Sequence, residues 1–147
     1  MIATIPRFDY GEGVESEQRV LIVDDDSETR GAVKAFVEAL GFQALVASNG
    51  AEALGVLGRH EPPSVIVLDL AMPVMDGVAF RTALLDDPVL AEIPVIVLTG
   101  RTGSKEWTGR LRVVGVLSKP PRSTDFEELL ARYAPAPGTP GRLPRKE

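Results

Sequence analysis

A chain of 147 residues, 44% hydrophobic and 25% charged, has the make-up of a single globular domain with one buried core. Its net charge of -5 argues against nucleic acid as the main partner, because phosphate backbones are held by basic surfaces. With no cysteine, disulfides, thiolate metal sites and cysteine nucleophiles are excluded, and no apolar run approaches the roughly 18 residues of a membrane span.

The first residues lack a basic stretch followed by a long apolar one, so no secretory signal is read and a cytoplasmic location is expected. Residues 1–18 carry Gly11, Gly13 and several acids without a sustained period and read as a mobile extension. Arg19 to Val23 is an apolar run that ends on Asp24-Asp25-Asp26. Asp26 or Ser27 can cap a helix whose apolar positions are Val33, Phe36, Val37 and Leu40, and Gly41 supplies its stop. Phe42 to Ala47 predicts a second strand, less apolar and so nearer a sheet edge. Asn49 with Glu52 resembles a capping box for a helix carrying Ala53, Leu54 and Leu57. His60, the single histidine, precedes Pro62 and Pro63 and reads as a loop residue.

Ser64 to Leu68 runs without alternation into Asp69, the pattern of a strand covered on both faces, and a turn-rich loop to Asp76-Gly77 follows. A helix from about Val78 to Leu85 presents Phe80, Ala83 and Leu84. Ile93 to Leu98 forms a fourth strand and delivers Thr99. Residues 102–113 have helical spacing at Trp107, Leu111 and Val114, weakened by Gly103 and Gly109. Gly115 to Ser118 is a short fifth strand ending at Lys119-Pro120-Pro121, and Thr124 with Glu127 suggests a cap for a last helix striped by Phe126, Leu129, Leu130 and Tyr133. Residues 134–147 are rich in Pro and Gly, with Arg142, Arg145 and Lys146, and suit a flexible basic tail. Five alternations of strand and helix predict an α/β, doubly wound domain with a parallel sheet over 19–133.

Parallel strands send all their carboxyl ends to one edge, where such folds bind ligands. Asp24, Asp25, Asp69, Thr99 and Lys119 therefore converge. Three crowded carboxylates repel one another unless a cation joins them, and oxygen-only ligands suit Mg²⁺ or a similar hard ion. With the ion in place one carboxylate can act as a nucleophile toward a phosphoryl group, and a hydroxyl and a lysine can hold the transferred oxygens.

Asp24-Asp25-Asp26, Asp69 followed by Met72-Pro73 and Asp76-Gly77, Thr99-Gly100 and Lys119-Pro120 together resemble the receiver domain of bacterial two-component response regulators. The resemblance implies a flavodoxin-like sheet of order 2-1-3-4-5. Asp69 would be the phosphoacceptor, Asp24, Asp25, Asp69 and the Ala71 carbonyl the Mg²⁺ (or Mn²⁺) ligands, and Thr99 and Lys119 the groups that hold the phosphoryl oxygens. It also implies a cis peptide before Pro120, a sensor histidine kinase or histidine phosphotransfer protein as donor, slow self-dephosphorylation, and a downstream protein partner. Two positions depart from the family pattern: Val116 and Pro121 stand where receivers often carry aromatic residues. With 14 residues after Tyr133, a stand-alone receiver is expected, signalling by a changed protein-binding surface or by onward phosphorelay. The alternative is a phosphorylation-independent interaction module on the same fold. An aspartate-based phosphohydrolase would want a second acid where Ala71 stands.

Overall fold

A computed structural model of the protein describes residues 18–70, 75–100 and 111–133. The extension, the basic tail, Ala71 and Trp107 lie outside these residues. Five strands, β1 (Arg19–Val23), β2 (Gln43–Ala47), β3 (Val65–Asp69), β4 (Val95–Thr99) and β5 (Gly115–Ser118), pair in parallel in the order β2-β1-β3-β4-β5. Among the described residues four helices accompany them: α1 (Ser27–Ala39), α2 (Gly50–Arg59), α3 (Gly77–Leu85) and α4 (Ser123–Tyr133). A single 3₁₀ turn, Leu90–Glu92, absent from the sequence expectations, precedes β4.

Unbroken apolar strands make sense once both faces are covered. On one face Leu21, Val23, Ile66, Leu68, Val95 and Val97 pack with α2 and α3 residues such as Ala53, Leu57, Phe80 and Leu84. On the other, Val20, Ile22, Val65, Val67, Ile96 and Leu98 meet Val33, Val37, Phe126 and Leu130 of α1 and α4. Phe36 and Phe126 join those two helices edge to face, their ring centroids 6.0 Å apart. β2 is an edge strand, as its mixed composition predicts, and Val46 on it is 40% exposed.

Helix ends follow local chemistry. Asp26 caps α1, accepting from Glu28 N at 3.3 Å and from Thr29 Oγ1 at 2.6 Å. At the other end Gly41 has φ 97°, and the bonds Phe42 N to Val37 O and Gly41 N to Glu38 O close a Schellman motif. Asn49 caps α2 by accepting from Glu52 N, but Glu52 reaches back to the backbone N–H and hydroxyl of Ser48, one residue beyond the usual box. The expected Thr124 cap is corrected. Phe126 N donates to Arg122 O, so α4 begins at Ser123 and Thr124 lies inside the first turn. His60 is the exposed C-cap of α2.

Candidate functional site

Every strand on the β1-to-β5 side of the sheet ends in a polar group. β1 runs into Asp24 and Asp25, β3 ends on Asp69, β4 ends on Thr99, and Lys119 follows β5. Register fixes their relative depth: Asp69 lies opposite Leu98, so Thr99 is one step farther along its strand, and Thr99 lies opposite Ser118. Lys119 N then donates to Thr99 O at 3.0 Å, which ties the lysine backbone to the end of β4. The Lys119–Pro120 bond is cis, as the resemblance implies.

The three consecutive aspartates have separate jobs. Asp24 is fully buried, Asp25 is exposed, and Asp26 is taken up by the α1 cap. One carboxylate oxygen from each of Asp24, Asp25 and Asp69 falls within 4.8 Å of the others. The Lys119 ammonium closes the cup, with Nζ 3.1 Å from Asp24 Oδ2 and 3.4 Å from Asp69 Oδ2. Asp24 Oδ1 also accepts from Asp26 N at 2.9 Å, and Arg30 Nη1 donates to the Asp24 carbonyl at 2.7 Å, so the β1–α1 loop is held from both sides. Asp24 Oδ2 is different. It is buried and accepts no hydrogen bond; the Lys119 ammonium lies 3.1 Å from it as an ion pair and donates to Oδ1 at 3.4 Å.

Burial works to lower the Lys119 pKa, but the hydrogen bond and charge of Asp24, with the charge of Asp69, outweigh it and the net shift is upward. The lysine is therefore a fixed positive charge at neutral pH. Three carboxylates facing one ammonium still leave the cup negative.

Sequence reasoning missed the structural role of Gly77. Its N–H donates to Leu70 O at 2.9 Å, and a Cβ built there would sit 2.5 Å from Asp69 O and 2.6 Å from Leu70 Cα. Only glycine lets the start of α3 fold back against the strand end that presents Asp69. The signal was Asp76-Gly77 itself, which reads as a turn; Asp76 is the α3 N-cap, accepting from Ala79 N at 2.8 Å. The Ala71 carbonyl lies outside the described residues. Val116, on β5, is 37% exposed.

Comparison with known proteins identifies the family. A family model of the response regulator receiver domain matches residues 20–133. Protein PilH of Pseudomonas aeruginosa is 35% identical over 114 residues, covering 76% of this chain and 91% of PilH. The transcriptional regulatory protein PrrA of Mycobacterium tuberculosis is 42% identical over 86 residues, 57% of this chain and 35% of PrrA. The chain thus spans about a third of the length of such regulators. Among solved structures, the chemotaxis protein CheY4 of Vibrio cholerae superposes with a TM-score of 0.74 at 28% identity, covering 80% of this chain and 99% of CheY4. The strand order, the acidic cup and these relatives together place the chain in the response regulator receiver domain family of two-component systems.

Proposed function

We propose that the chain accepts a phosphoryl group on Asp69 from the phosphohistidine of a sensor histidine kinase or a histidine phosphotransfer protein. A carboxylate oxygen of Asp69 attacks phosphorus, the P–N bond to the donor imidazole breaks, and the imidazole takes up a proton from solvent. The observation that carries this reading is the paired environment of Asp69, with acids within 4.8 Å on one side and the Lys119 ammonium at 3.4 Å on the other.

Mg²⁺ or Mn²⁺ suits the acidic side. The donors are all oxygen, the buried Asp24 Oδ2 lacks a hydrogen bond, and the cup has more negative than positive charge. Asp24, Asp25 and Asp69 are the proposed side-chain ligands, with the Ala71 carbonyl completing the set. When bound, the ion offsets the negative charge of the incoming phosphoryl oxygens. Lys119 holds one of those oxygens, and the Thr99 hydroxyl donates to another.

Output then follows from a biased surface around Thr99 and β5, read by a downstream protein or spent in onward phosphorelay. Residues 19–133 form the receiver, flanked by 1–18 and 134–147, and the setting is the cytoplasm. Intact-mass measurement after incubation with acetyl phosphate and Mg²⁺ tests the assignment. The expected result is one added phosphoryl group, labile to hydroxylamine and missing in Asp69→Ala; the same adduct in that variant would overturn it.

A further inference from the structure

At the opposite edge of the sheet, where the strands begin, a cleft of about 440 Å³ is lined by Arg81, Arg112, Arg132, Glu92, Pro94 and Tyr133. This volume is within the range of roughly 300–1,000 Å³ typical of small-molecule sites. Nothing in the phosphorylation chemistry uses these residues. β4 alone separates the two edges, five residues at about 3.3 Å each.

Arg81 is the unusual member. It comes from the buried face of α3 and is only 2% exposed. Its Nε donates to Leu111 O at 2.8 Å and its Nη2 to Arg112 O at 3.1 Å, while Nη1 is buried with no partner. Neither acceptor is charged, and no carboxylate forms an ion pair with it among the described residues. Buried guanidinium groups are ordinarily paired, and an unpaired buried donor costs about 1–3 kcal/mol. Its nearest charged influences come from two other lining residues. Burial and then repulsion from Arg112 draw the Arg81 pKa down, against a smaller upward pull from Glu92. Arg112 itself adopts φ 56°, a conformation that glycine or asparagine would take at lower cost, yet an arginine occupies it at the cleft. Among the described residues, three arginines and one glutamate thus line the cleft beside the apolar surface of Ile93, Pro94 and Val114.

We propose that this cleft is a second ligand site, for a small phosphate monoester whose dianionic group meets Arg81, Arg112 and Arg132. Its organic body lies on the wall formed by Ile93, Pro94 and Val114. A phosphate dianion matches the excess of two positive charges among the described lining residues, and planar guanidinium groups bind its oxygens in pairs.

The test is a titration of the full ¹⁵N-labelled chain with adenosine monophosphate, with inorganic phosphate, and with chloride at matched ionic strength, all in EDTA to silence the acidic cup. Adenosine monophosphate is expected to move the Arg81 Nε–H signal and the amides of Glu92 and Arg112, with a Kd near or below about 1 mM, while the Asp24–Asp26 amides stay in place. Arg112→Gln combined with Arg132→Gln, both at exposed positions, should weaken binding about tenfold or more without unfolding the chain. Asp69→Ala should leave it unchanged, which separates this site from the aspartyl one. Shifts that chloride reproduces, equal affinity for inorganic phosphate, movement confined to the Asp24–Asp26 loop, or no response to adenosine monophosphate would each overturn the proposal.

Discussion

The two edges of the sheet are electrostatic opposites. Among the described residues, three carboxylates gather with one ammonium at the carboxyl edge, and three arginines line the cleft with one glutamate at the amino edge. The edges differ just as much in construction. Asp24, Asp69, Thr99 and Lys119 each sit at the end of a strand or one residue past it, so the sheet's hydrogen bonding sets their spacing. The arginines come from a helix face, a loop residue of positive φ and the last turn of another helix. Charge excess in the first place is held by backbone register, and in the second by side-chain reach.

Removing the ammonium that pairs with the carboxylates of the acidic cup gives the largest effect on that contrast. Lys119→Met takes the ammonium away from the carboxylates of Asp24, fully buried, and Asp69. A loss of about 3 kcal/mol is expected, the lower end of the range for breaking a buried pair because the ammonium is 22% exposed. Urea denaturation measures it. The sign of its pH dependence follows from the raised Lys119 pKa. The lysine contribution is complete below its ordinary value of 10.5 and is lost only as pH rises through the still higher folded value. The difference between Lys119→Met and the parent should therefore be flat from about pH 6 to 9 and shrink only in strong alkali.

Supplying a cation should do the reverse. Mg²⁺ at about 100 times its Kd should stabilise the fold by about 2.7 kcal/mol, and EDTA should remove the gain. Asp24→Asn should abolish most of this increment while raising the metal-free stability, since it relieves repulsion among the three acids. Thermal melts with and without the ion read both. A metal-free Asp24→Asn that melts below the parent would show that the cup is not strained by its own charge.

Backbone approach can be tested separately from charge. In Gly77→Ala the new methyl meets Asp69 O and Leu70 Cα, atoms that cannot swing aside, so about 1–3 kcal/mol is lost and Asp69 is displaced. Acetyl phosphate labelling should fall together with the denaturation midpoint. Retained labelling would mean that the end of β3 tolerates the shift.

These residues also mark what the sequence made legible. The strands were plain because Val20 to Val23, Val65 to Leu68 and Val95 to Leu98 are apolar on both faces, a pattern that only a covered parallel sheet satisfies. The acidic cup was plain for a related reason: strand direction alone gathers the residues that end each run. Arg81 was not, since a charged residue on a helix is expected to face water. Its position between Phe80 and Leu84, in the stripe that Gly77, Phe80, Arg81 and Leu84 bury together, was the available signal. Its partners are carbonyls 30 and 31 positions away, contacts that no local pattern encodes. The division of labour among Asp24, Asp25 and Asp26 was equally hidden, because adjacent identical side chains differ only in where the chain turns.

The smallest predicted effect is the most discriminating about the comparison. Arg112→Gln removes a cation, as Lys119→Met does, but at the edge where cations are in excess. Arg112 repels the buried Arg81 guanidinium and is itself exposed, so solvent screens most of the interaction. Losing it should stabilise the chain by about 0.3 kcal/mol at low ionic strength, with the glutamine bearing the same backbone strain at φ 56°. Glu92→Gln should shift stability by a similar amount in the other direction. Both differences should fade as salt shortens the Debye length to about 3 Å near 1 M, whereas the deeper Lys119 difference should largely persist. A fold that weakens when a positive charge leaves one end and strengthens when one leaves the other carries its charge excess as two separate local sites. If Arg112→Gln instead destabilises, the arginines of the cleft are already compensated, and the case for an anionic ligand there loses its electrostatic basis.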